Sequence, residues 1–221
     1  RRVSRLARRI GRKKPIVAVK SGRTSAGTRA ASSHTGALAS ADTAVDALFR
    51  QAGVIRTHDL DELFDITALL ANQPVPKGRR VGVLTNAGGP GILLADALES
   101  IGLTLPELSD ELQGKLSEHL SDEATVRNPV DMVASAGPAE YEVCLGHLLN
   151  SDDLDDVILI HIPAAPTGTH ETAAAIRDAS IANAGQKTLI SVFMRSDGPH
   201  DELLSDEFRV PSYRFPATDD R

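Results

Sequence analysis

His34 lies in the run Ser32-Ser33-His34-Thr35-Gly36-Ala37-Leu38-Ala39-Ser40, between small residues and just ahead of a helical pattern. An imidazole that is neutral near pH 7 can attack an activated phosphoryl group. Gly36 and Ala37 would leave backbone N–H groups open to an anion, and Ser33 and Thr35 add hydroxyl donors. A second small-residue run, Asn86-Ala87-Gly88-Gly89-Pro90-Gly91, has the same strand-then-helix setting. Two helix mouths that favour anions and one histidine at the first of them suggest phosphoryl chemistry. A cap on a helix, or a contact to a structural water, would explain His34 equally well. The Gly88–Gly91 run lacks the Gly-Lys-Ser/Thr of a P-loop and the full Gly-x-Gly-x-x-Gly, so it reads as well as a tight βα turn. Pro90 at an early helical position suits both readings.

Asn128-Pro129-Val130-Asp131 is a third candidate. Asn-Pro starts turns. Asp131 could receive donors from a nearby loop or orient a substrate, or simply cap a turn. His58, His119, His147, His161, His170 and His200 have no metal-ligand spacing, and no Ser–His–Asp arrangement can be argued. His161 falls in a continuous apolar run and reads as a hydrogen-bonded core residue.

These residues need elements to hold them. Arg2 to Ile10 reads as a helix with an apolar stripe of Val3, Leu6, Ala7 and Ile10. Pro15 to Lys20 reads as a buried strand, and Ser21 to Ser33 as a loop. Ala41 to Gln51 is a helix, Val54-Ile55 a short strand, and Leu60 to Leu70 a helix with carboxylates in its first turn. Asn72 to Arg80, with two prolines and a glycine, reads as a linker. Beyond it the expected strands are Val81–Thr85, Leu103–Leu105, Val157–Ile162, Thr188–Phe193 and Ser212–Arg214. The expected helices are Gly91–Ser100, Ser109–Leu120 with a capping box to Gln113, Pro138–Asn150, Glu171–Ala184 and a short Asp201–Asp206.

Apolar strands alternating with helices imply an α/β fold with parallel sheets covered on both faces. The expected architecture is two flavodoxin-like, doubly wound domains. Residues 1–75 form the C-terminal part of the first and carry His34; residues 80–221 form the second. Ligands in such folds bind at the carboxyl ends of strands, where both small-residue runs fall.

Bulk composition narrows the rest. Five Phe, two Tyr and no Trp among 221 residues leave no platform for base stacking. Eight of the 24 basic residues fall within Arg1 to Lys14 of a chain whose net charge is −6, and the solvated face of a surface helix explains them. Neither nucleic acid nor a membrane is expected as a partner. Cys144 reads as a core residue, and a single cysteine fits a reduced, cytoplasmic setting. The chain begins without Met on a helix already under way, which reads as a piece of a longer protein.

The motifs in order also resemble a family. Lys14-Pro15-Ile16-Val17-Ala18-Val19-Lys20-Ser21-Gly22-Arg23, the His34 run, Phe49 to Val54, the Gly88 run with Asp96-Ala97, and Asn128 to Asp131 are similar to the NDP-forming acyl-CoA synthetases. These belong to the succinyl-CoA synthetase superfamily, here in its acetate–CoA ligase (ADP-forming) branch. The resemblance implies that His34 is the phosphohistidine, taking phosphate from an acyl phosphate and passing it to ADP. It implies phosphate contacts from Ser33, Thr35, Gly36, Ala37, Asn86, Ala87, Gly88, Gly89 and Gly91, with Asn128 and Asp131 supporting the substrate site. CoA, ADP or ATP and Mg²⁺ would be bound mainly by a CoA-binding Rossmann domain and an ATP-grasp domain, on the same or a partner chain of an oligomer. The same domains also occur fused to a GNAT acetyltransferase, as a regulatory module of protein lysine acetyltransferases.

Overall fold

The computed structural model describes residues 2–27, 29–30, 42–163, 168–183, 185–194, 200–204 and 209–216. His34 and its neighbours Ser33, Thr35, Gly36 and Ala37 lie outside the described residues. The chain divides into two compact units, Arg1–Leu70 and Ala71–Arg221.

In the first unit, α1 (Arg2–Gly11) precedes β1 (Ile16–Val19), then α2 (Asp42–Ala52), β2 (Val54–Thr57) and α3 (Leu60–Asn72). β1 and β2 pair in parallel, Ile16 opposite Val54 through Val19 opposite Thr57. Residues 25–27 and 29–30 are helical, where a loop was expected. The Thr24 hydroxyl accepts from Gly27 N–H at 3.1 Å, an N-cap that lets the alanine-rich stretch begin a helical turn. The stripe expected on α1 packs only in part. Ala7 is buried, whereas Val3, Leu6 and Ile10 are exposed.

The second unit holds β3 (Val81–Thr85), α4 (Gly88–Ser100), α5 (Asp110–Ser117), β4 (Val130–Asp131), α6 (Pro138–Asn150), β5 (Asp156–His161), α7 (Thr169–Ala182), β6 (Thr188–Phe193), a 3₁₀ turn (Asp201–Leu203) and β7 (Ser212–Tyr213). Its five strands run β4-β3-β5-β6-β7, all in parallel. That is the flavodoxin order, with its switch point between β3 and β5. Side chains alternate between two layers. Leu84, Leu159, Leu189 and Phe193 join residues of α5, α6 and α7 on one face. Val83, Ile160 and Val192 meet Leu94 and Leu98 of α4 on the other.

Several expected elements change. Leu103–Leu105 contributes a lone bridge, Thr104 beside Arg80, because Pro106 follows at once and has no N–H to continue a ladder. The strand beside β3 is instead Val130–Asp131, read before as a turn. α4 starts at Gly88, three residues ahead of expectation, and its Ile92 and Leu93 face solvent. The capping box at Ser109 does not form. Its hydroxyl accepts from Leu112 N–H, but the Gln113 amide donates to Leu108 O. A carboxylate does close the start of α6, where Glu140 Oε2 accepts from Gly137 N–H at 3.0 Å. The expected linker is tied down at its start. Gln73 donates to Arg209 O and accepts from Leu189 N–H. Cys144 is fully buried, and burial pushes its thiol up to about 12, so it is an inert core residue.

Candidate functional site

The carboxyl edge of the second sheet gathers the expected site residues of that unit, except Asn128, which lies beside the first half of β3. β3 ends at Thr85, whose hydroxyl accepts from Ala87 N–H at 3.0 Å and donates to Ala87 O at 2.9 Å. This closed loop turns the chain tightly into α4. Ala87 is the extended N-cap residue, and among the described residues no side-chain cap bond is found there. Pro90 has no N–H, and Gly91 N–H turns back to Ala87 O at 3.5 Å. The N–H groups of Gly88 and Gly89 are the remaining donors of this first turn, the kind of group that favours an anion.

Asp131 stands beside them. Its Oδ1 accepts from Val133 N–H at 3.0 Å. A Cβ on Gly88 would lie 2.8 Å from its Oδ2, so only glycine permits this approach. At Gly89 a Cβ would meet nothing within 4 Å, and the mouth is open there. Val133 holds φ at 62°, a strained conformation for a β-branched residue, pinned by that same Asp131 bond.

Other members of the expected set are spent inside the fold. The Asn86 amide donates to Ile162 O at 2.8 Å and accepts from Ile162 N–H at 2.9 Å, joining the ends of β3 and β5. Ala87 gives its N–H to Thr85. The Asn128 amide accepts from Val83 N–H and donates to Val81 O and Pro106 O. It serves the outer edge of β3 in the stretch that β4 does not reach.

Asn86 also lines a cavity of about 170 Å³, together with Gly137, Pro138, His161, Gly168 and Thr169 among others. Two helix starts, those of α6 and α7, border it. His161 is buried, as its apolar run suggested, and its Nδ1 lies 3.0 Å from the Tyr141 hydroxyl. That hydroxyl also lies 3.3 Å from Ile160 O, to which it can donate. Burial lowers the His161 pKa to about 4, and the ring is neutral near pH 7.

In the first unit the carboxyl ends of β1 and β2 border an open cleft of about 690 Å³, lined among others by Lys20, Arg23, Gly27 and His58. Arg23 donates to His58 Nδ1 at 2.9 Å. Asp42, at the start of α2, takes Arg56 at 2.6 Å with Lys20 and Arg23 at 3.6 and 3.9 Å. The Arg56 hydrogen bond leads in holding the Asp42 carboxyl below its ordinary value. This cationic rim was not anticipated. Its one sequence signal is that Lys20 and Arg56 sit at the end of, or within, otherwise apolar strand patterns.

Comparison with known proteins follows the same division. Residues 1–70 match the succinyl-CoA ligase like flavodoxin domain family, and residues 81–193 match the ligase-CoA domain family. The alpha subunit of acetate–CoA ligase (ADP-forming) II from Pyrococcus furiosus is 37% identical over 98% of this chain and 48% of its own length. 4-Hydroxybutyrate–CoA ligase (ADP-forming) from Nitrosopumilus maritimus is 32% identical over 92% of this chain and 29% of its own. The solved dinucleotide-forming acetyl-coenzyme A synthetase 1 of Ca. Korarchaeum cryptofilum, in complex with phosphate and ADP, superposes with a TM-score of 0.86. It is 27% identical, covering 97% of this chain and 46% of that one. The chain thus spans less than half the length of these relatives.

Proposed function

The chain belongs to the NDP-forming acyl-CoA synthetase family, and from that premise we propose that it is the phosphate-carrying part of such an enzyme. The reaction is acyl-CoA, ADP and phosphate going to the acid, CoA and ATP. His34 takes the phosphoryl group from an acyl phosphate, which releases the carboxylate, and then yields it to the terminal oxygen of ADP. A phosphorylated imidazole carries nearly two negative charges, and a helix start stabilises such charge by ~0.3–2 kcal/mol. Ser33, Thr35, Gly36 and Ala37 supply phosphate contacts around His34, and Gly88 and Gly89 offer an anion-favouring helix start in their own unit.

The observation that supports this reading is the uncapped first turn of α4 at the carboxyl end of β3, with glycines where a phosphate would approach. CoA, the nucleotide and Mg²⁺ are held mainly by other parts of the intact enzyme, an ATP-grasp domain among them. The test is to incubate the intact protein with labelled ATP and Mg²⁺. Acid-labile, base-stable phosphate is expected on the wild type and absent from His34→Ala. A well-folded wild type that takes no label would overturn the catalytic reading in favour of a regulatory module of the kind fused to GNAT acetyltransferases.

A further inference from the structure

Away from the helix mouths, two histidines and a glutamate converge from different elements. His170 lies in the first turn of α7, and His200 and Glu202 lie at the start of the 3₁₀ turn. Glu202 Oε1 is 2.7 Å from His170 Nδ1, and Glu202 Oε2 is 3.6 Å from His200 Nδ1. Among the described residues Oε2 is buried without a hydrogen-bond partner, which is costly for a carboxylate oxygen. His200 is 3% exposed, and Phe193 packs against its ring edge-on at 4.9 Å. The two imidazoles meet at 79° with centroids 5.0 Å apart, so they do not stack their faces on one another. Arg177, further along α7, donates to the Glu202 carbonyl and fixes the turn.

We propose that His170, His200 and Glu202 form a binding site for a borderline divalent transition metal of the Zn²⁺ class. Two imidazoles and one carboxylate are a donor set that suits such ions and not Mg²⁺ or Ca²⁺, which prefer oxygen. One ligand atom from each residue can be chosen so that all three lie within 4.8 Å of one another. Tetrahedral Zn²⁺ with bonds of ~2.0–2.1 Å sets its ligands about 3.3 Å apart; here His170 Nδ1 is 2.7 Å from one Glu202 oxygen and His200 Nδ1 is 3.6 Å from the other. Small rotations of the exposed His170 and of Glu202 would therefore close the site, and the ion would satisfy the orphan oxygen. Three protein ligands leave a fourth position for water. The ion would tie the first turn of α7 to the 3₁₀ turn. Gly168 and Thr169, just before His170, line the cavity beside Asn86, so the metal would also brace that wall.

The test is titration of the intact protein with Co²⁺ as a visible stand-in for Zn²⁺. We expect one equivalent with tetrahedral d–d absorption, displaced by Zn²⁺, and a Zn²⁺-dependent rise in Tm. His170→Ala and Glu202→Gln should lose the band and bind at least ~10-fold more weakly. His170 is largely exposed, so its variant should remain folded, and any ion held elsewhere in the protein is common to both forms. No tetrahedral band in the wild type, or a band unchanged in both variants, would overturn the site and leave the cluster an ion pair alone.

Discussion

A single methyl group can separate binding from folding at the mouth of α4. Gly89 occupies the first helical turn, where alanine is a better helix former than glycine by about 1 kcal/mol. Among the described residues a Cβ there meets nothing within 4 Å, so under the proposed function it would project toward the phosphate. Gly89→Ala should therefore keep or slightly raise Tm while phosphoryl transfer to ADP falls by about tenfold or more, because the methyl blocks approach to an N–H that remains; outright loss of such a donor costs about a hundredfold or more. Unaltered turnover in this variant would remove the mouth from the mechanism. At Gly88 the logic differs, because there a Cβ would first displace Asp131, and stability and activity would change together.

Among the elements, β3 carries the mouth, and Asn128 sustains its outer edge. Asn128→Ala would strand Val83 N–H and two carbonyls. The expected loss is about 2–3 kcal/mol in denaturant unfolding, at roughly 1 kcal/mol per bond, with turnover per folded molecule retained. Loss of turnover in fully folded protein would return Asn128 to the substrate site. The contrast between Asn128 and the strands shows what was readable. Val81–Thr85 and Thr188–Phe193 were legible to the residue, because continuous apolar runs can only be buried strands here. Val130–Asp131 was not, since two residues after Asn-Pro carry no periodicity. The start of α4 was hidden because glycines read as loop, although a first turn tolerates both Gly and Pro90. The order of motifs carried the family, but the spent amides of Asn86 and Asn128 depend on main-chain partners 76 and up to 47 residues away, beyond any local pattern. The His170–His200–Glu202 cluster was invisible for the same reason.

Stability belongs to the whole molecule, and two buried groups give it opposing pH dependences. His161 titrates near 4 when folded and near 6.5 when unfolded. Its contribution is complete above pH 6.5 and is lost as pH falls toward 4, about 3 kcal/mol in all. Asp156 is the reverse. Its Oδ1 is buried without a partner, and burial pushes the carboxyl up from 3.8 to about 6. Its contribution is complete below pH 3.8 and is lost as pH rises through 6, again by about 3 kcal/mol. Between pH 4 and 6 the two nearly cancel. Asp156→Asn should therefore be more stable than the wild type at pH 7, with an advantage that shrinks toward nothing at pH 4. Chemical denaturation at both pH values reads it, and an advantage independent of pH would refute the assignment to Asp156. Burial also differs between the units: among the described residues the buried apolar side chains of the first are Ala7 and Ala52, while the second carries two leucine-rich and valine-rich layers. The Asn86 amide, lastly, adds one rung beyond the ladder of β3 and β5. The same side chain lines the cavity bordered by Gly137 and Gly168. Whatever fills that cavity therefore rests on the clasp that holds β3 to β5.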